Sequence, residues 1–125
     1  MTDDDASVLA ALQAEFADGV EFLDAKGYAG ARVQTSDLPQ FETMIVELAV
    51  ASPIGAGDHC WVEIEPCRVG WRLQASLAVR GGEAPEVDLG WHRVIARGDA
   101  ESAARVLARR AYVALWEHLS GVHRT

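Results

Sequence analysis

The sequence predicts an α+β fold. The expected form is a two-layer sandwich, with an antiparallel meander of about four strands carrying an N-terminal and a C-terminal helix on one face. Apolar residues recur at helical spacing near each end of the chain, alternate with period two in four successive stretches between them, and are separated there by turn-forming residues rather than long linkers.

Residues 3–26 read as an amphipathic helix. Asp3, Asp4 and Asp5 suit its N-cap and the positive end of its dipole. Leu9, Leu12, Phe16, Val20 and Leu23 form one stripe with Val8 at its edge, opposite Ala10, Ala14, Ala17, Glu21 and Asp24. Gly19 lies on the apolar side, where it permits close backbone approach, and Gly27 is the stop signal. Residues 28–41 connect this helix to the meander, and within them residues 32–35 can form a short edge strand.

Three strands with clear alternation follow. In 43–51, Met44, Val46, Leu48 and Val50 share a face; in 59–65, Cys60, Val62 and Ile64 do, with Trp61, Glu63 and Glu65 opposite. In 69–80, Val69, Trp71, Leu73, Ala75, Leu77 and Val79 alternate with Arg72, Gln74, Ser76 and Arg80. The connections are residues 52–58, the turn around Pro66, Cys67 and Arg68, and the pair Gly81 and Gly82. A fourth strand over 86–95 places Val87, Leu89 and Trp91 on one face. A second helix over 99–121 is capped by Asp99 and stopped by Gly121, with a core stripe of Ala104, Leu107, Ala111, Ala114, Leu115, His118 and Val122.

At 125 residues the chain is expected to be one domain, 1–125, able to fold without metal or disulfide. Its net charge of −8 argues against nucleic-acid binding. The charge is split. Residues 1–66 hold thirteen Asp and Glu against Lys26 and Arg32, whereas residues 67–125 hold six against nine Arg. Such a chain can pair with a second copy or offer an acidic face to a basic partner. No apolar run approaches the ~20 residues of a membrane span; residues 44–51 are interrupted by Glu47. The acidic start lacks the basic region of a secretory signal, so a cytoplasmic location with free thiols is expected.

No catalytic constellation stands out. Asp58, His59 and Cys60 are consecutive, but neighbours on a strand face opposite ways, and Cys60 shares parity with the core set. Cys60 and Cys67 with His59 and His92 lack the spacing of a zinc site. Gly55, Ala56 and Gly57 follow a strand but precede another strand, not a helix, so they do not make a dinucleotide fingerprint. His118 suits a hydrogen-bonded position at the helix C-terminal end. No catalytic residue, metal or cofactor is therefore expected.

The candidate site is the sheet face opposite the apolar set. Parity places Trp61, Glu63 and Glu65 there with Glu47 and Arg72. Glu63 is expected beside Arg72 with Glu47 on its other side, and Trp61 beside Ala49. An exposed Trp amid polar groups suits a binding hot spot, and the mutual repulsion of the glutamates favours a basic partner. The alternative is that the 28–41 connection simply covers Trp61. On the second helix Val106, Val113 and Trp116 lie off the core stripe beside Arg109 and Arg110, which makes them candidate homodimer contacts unless the first helix covers them.

The helix–meander–helix order resembles small bacterial immunity, antitoxin-like and secretion-chaperone proteins in architecture. No motif is shared, so no functional residue is carried over. A non-enzymatic protein-binding module, an adaptor, chaperone or inhibitor, is the leading expectation. The alternative is a small-ligand-binding protein or minor enzyme with a pocket between sheet and helices, lined by Trp71, Trp91 and His118.

Overall fold

The computed structural model describes residues 3–38, 42–50, 58–78 and 87–120. Helix α1 (Asp3–Ala25) is followed by strands β1 (Arg32–Leu38), β2 (Thr43–Ala49), β3 (His59–Pro66), β4 (Trp71–Ala78) and β5 (Val87–Val94), and then by helix α2 (Arg97–Ser120). The five strands form one antiparallel sheet in chain order, and both helices cover the same face. The two-layer α+β sandwich is thus as the alternation and the two helical stripes predict. The fifth strand is the edge strand foreshadowed at residues 32–35, which extends to Leu38.

Helix α1 ends where its sequence says it should. The Tyr28 N–H donates to the Leu23 carbonyl (2.8 Å) and the Gly27 N–H to that of Asp24 (3.0 Å), with Gly27 at a φ of 95°. This is the Schellman arrangement, whose left-handed residue costs least as glycine. Helix α2 starts two residues earlier than its sequence predicts, so Asp99 sits inside the first turn rather than capping it. There its carboxylate still faces the positive end of the dipole. Val69, expected in the third strand, lies in the turn before β4 and is 55% exposed. The expected turn at Gly81 and Gly82, the stop at Gly121, Val122, and most of the 52–58 loop lie outside the described residues.

The core fills the space between the layers. Leu12, Phe16 and Leu23 of α1 and Leu107 and Leu115 of α2 are fully buried against Val46, Leu48, Val62, Leu73 and Leu77 of the sheet. Each such side chain contributes roughly 1.5–3 kcal/mol through burial. Helix α1 packs over β1, β2 and β3, while α2 packs over β3, β4 and β5. The helices run parallel and side by side. Asp4 meets Arg97 near their N-termini, Glu15 meets Tyr112 midway, and Phe22 meets Trp116 toward their C-termini. Trp71 ties the layers together, its indole N–H donating to Asp5 Oδ1 at 2.7 Å.

A β-bulge corrects the fourth expected strand. Ala75 pairs with Gly90 but Ser76 pairs with Asp88, which leaves Leu89 as an extra residue in β5. One inserted residue reverses the parity beyond it. Val87 and Leu89 therefore pack against the core, whereas Trp91, expected beside them, turns to the opposite face and is 54% exposed.

Candidate functional site

With both helices on one side, the other side of the sheet carries the side chains of alternate parity. Two rows cross it. Gln34, Glu47, Trp61, Ser76 and Asp88 are successive neighbours from β1 to β5, and Ser36, Ile45, Glu63, Gln74 and Trp91 form the adjacent row. A shorter row holds Glu65, Arg72 and Arg93. Trp61 and Trp91 thus share a face, two strands and one row apart. At about 4.8 Å per strand and ~3.4 Å per residue, their Cα atoms lie roughly 12 Å apart.

The candidate residues Trp61, Glu63, Glu65, Glu47 and Arg72 all lie on this face, but their neighbours differ from the expected ones. Glu63 stands opposite Ile45 and Gln74, not Arg72; Trp61 stands opposite Glu47, not Ala49; and Arg72 stands opposite Glu65. The turn before β4 sets the second register. Cys67 N–H donates to the Gly70 carbonyl at 2.9 Å, closing a four-residue loop that pairs Pro66 with Trp71. A slide of two residues leaves every side chain on its face, so alternation alone does not detect it.

Each candidate glutamate has a partner within the chain. Glu47 lies 3.7 Å from His59 Nε2, Glu63 accepts a hydrogen bond from the Trp61 indole N–H at 3.2 Å, and Glu65 lies 3.8 Å from Arg72. The His59 ring stacks on Trp61 at 5.1 Å, and the Arg72 guanidinium sits over the Trp91 ring at 5.5 Å. By register, Arg32, Arg72 and Arg93 share the face with Glu47, Glu63, Glu65 and Asp88, so among the described residues three guanidiniums stand against four carboxylates, with His59 beside Glu47. The repulsion among Glu47, Glu63 and Glu65, from which a basic partner is expected, is met by His59, the Trp61 indole and Arg72 inside the chain. Trp61 is half-buried by its own neighbours, and residues 32–38 run as the edge strand β1, two strands away from it.

The other predicted groupings separate. Trp71 is buried in the core and Trp91 faces the opposite way, so the pocket expected from Trp71, Trp91 and His118 is not assembled. Cys60 is fully buried, and burial pushes its thiol pKa well above the ordinary range. A nucleophilic role needs the reverse. Among the described residues no cluster of His, Cys, Asp and Glu has the makings of a metal site. His118 is half-buried near the end of α2.

The helical layer holds a cluster that sequence reasoning passed over. Glu15 is 3% exposed. It accepts a hydrogen bond from the Tyr112 hydroxyl at 2.9 Å, and Arg105 and Arg109 approach it at 3.6 Å. Burial, and then the bond to Glu15, raise the Tyr112 pKa. The available signal was a carboxylate three residues after Leu12 and one before Phe16, on the apolar stripe itself. Beside it, a groove of about 500 Å³ lies among Arg105, Val106, Arg109, Arg110 and Val113. Of the candidate oligomer contacts, Val106 is 50% exposed and Arg109 and Arg110 are exposed, whereas Val113 and Trp116 are partly buried. Trp116 is claimed by α1: Phe22 meets it edge-on at 5.7 Å, and the Lys26 ammonium lies 4.9 Å from its ring.

No family model matches the chain, and no curated protein or solved structure is significantly similar to it. Among the described residues no helix is long and apolar enough to cross a membrane.

Proposed function

We propose that this protein is a non-enzymatic binding module that docks a protein partner on the helix-free face of its sheet. The observation that carries the reading is the placement of Trp61 and Trp91 on that one face, with the second indole more than half exposed. Two indoles carried on Cα atoms about 12 Å apart, with Ile45, Gln74 and nearly balanced charges around them, fit the aromatic centre and polar rim of an interface. Three guanidiniums against four carboxylates favour a partner surface of mixed polarity over a strongly basic one. Cys60 and Cys67 are both free, which suits a reducing compartment such as the cytoplasm.

The test is quantitative affinity capture from native extract with three tagged proteins: wild type, Trp61→Ala with Trp91→Ala, and Ala29→Lys in the exposed turn after α1 as control. The expected result is a stoichiometric partner retained by wild type and control and depleted at least about tenfold by the double variant, as loss of hot-spot aromatics predicts. Circular dichroism confirms that all three proteins are folded. Equal capture by the folded double variant would refute this site.

A further inference from the structure

We propose a second interface on the opposite side of the molecule, where the helical layer is the contact between two copies of this chain. On α2, Val106 and Val113 stand seven residues apart on the side away from the sheet, the first half exposed and the second partly so, with Arg109 between them. A half-exposed apolar ridge flanked by guanidiniums fits a surface that is itself smooth and acidic. The exposed side of α1 is such a surface. Ala10, Ala14 and Ala17 leave it low, and Asp18 and Glu21 charge it.

The arrangement of the helices makes the match reciprocal. Because α1 and α2 lie side by side in one layer, a twofold axis parallel to them sets α1 of each copy over α2 of the other. That operation keeps height along the helices. Glu15 is level with Arg109 and Tyr112, and Phe22 with Tyr112 and Trp116. Asp18 therefore lies within about one helical turn, ~5 Å, of the height of Arg109, inside the reach of an arginine side chain.

Charge singles out this pairing. A chain of net charge −8 repels its own copies, so a stable self-contact must bring unlike surfaces together. The exposed charges of α1 between its first and last turns are Asp18 and Glu21, whereas those on the outer side of α2 at the same level are Arg105 and Arg109, two guanidiniums that share the single carboxylate of Glu15, while Arg110 turns to the Leu89 carbonyl of β5. The area suffices as well. Two helices about 35 Å long, side by side across ~20 Å, cover roughly 700 Å² per copy, close to the standard interface of about 800 Å². The dimer would leave both sheet faces pointing outward, which gives the assembly two partner sites.

Sedimentation velocity of the full chain, with Val106→Asp and Ala14→Glu, tests the contact. Both positions lie on exposed helix surface, and the two residues belong to different helices, so circular dichroism is expected to show both variants folded. Wild type should sediment as a dimer at roughly 100 µM, well above the micromolar affinities such an area supports. Each variant should raise the dissociation constant at least about tenfold, because each places a carboxylate in the buried centre of the contact. Trp61→Ala with Trp91→Ala should leave it unchanged, which separates this interface from the partner face. A monomeric wild type overturns the proposal. So does a dimer indifferent to Ala14→Glu, because it would associate through α2 alone or through another face.

Discussion

The aromatic ring of Tyr112 lies against the backbone of Gly19, so close that a Cβ at position 19 would stand 2.6 Å from its Cδ2 and 2.8 Å from its Cγ. Tyr112 is pinned from its other end by Glu15. The ring therefore has little freedom to yield.

Gly19→Ala is accordingly expected to destabilise the protein by roughly 1–3 kcal/mol, the usual cost of overpacking, despite the ~1 kcal/mol by which alanine ordinarily improves a helix interior. Gly98 is the control. A Cβ there meets nothing within 4 Å, and Gly98→Ala should be neutral or stabilising by a few tenths of a kcal/mol. Urea denaturation of the two variants checks both; equal stabilities would mean that the helices are less tightly apposed.

Alkali should weaken the fold through two named groups. The pKa values of Cys60 and Tyr112 are both raised in the folded state, by burial first. The unfolded chain releases these protons at lower pH, so their ionisation favours unfolding. The stability concerned is fully present below the unfolded pKa values. It declines as pH rises past about 8.5 for Cys60 and about 10 for Tyr112, at up to ~1.4 kcal/mol per pH unit for each proton. Cys60→Ala should flatten the first part of the decline and Tyr112→Phe the second. Midpoints of chemical denaturation measured from pH 7 to 11 would show it.

The two thiols should differ sharply in reactivity. Cys60 is fully buried, whereas Cys67 lies in the turn before β4, its thiol 3.5 Å from the Glu65 carbonyl oxygen. A thiol reagent at neutral pH is expected to label Cys67 in the native protein and Cys60 only on unfolding. Peptide mass spectrometry after brief labelling identifies the modified residue.

Trp71 and Trp91 should respond oppositely to truncation. Trp71→Ala removes a side chain that is 6% exposed and bonded to Asp5, and is expected to cost about 3–5 kcal/mol. Trp91→Ala removes one that is 54% exposed, and should change stability by no more than ~0.5 kcal/mol. Thermal melts compare the two directly. A large loss for Trp91→Ala would mean that this indole is structural rather than available to a partner.

The sequence by itself determined the element order, the core faces of β2, β3 and β4, the end of α1 at Gly27 and the side on which Trp61 stands. All of these follow from local chemistry or from a repeat of two or 3.6 residues, which each segment carries within itself. Tertiary structure alone decided the rest. Strand register moved Glu63 from Arg72 to Gln74, because a two-residue slide preserves alternation and only the closed turn at residues 67–70 selects among the slides. The extra residue Leu89 sent Trp91 to the face of Trp61, because a bulge breaks the period that parity assumes. Helix apposition, finally, gave Trp116 to Phe22 and Lys26 and made the carboxylate of Glu15 a buried partner of Tyr112, since which side of a helix a neighbour covers is settled only once both are docked on the sheet.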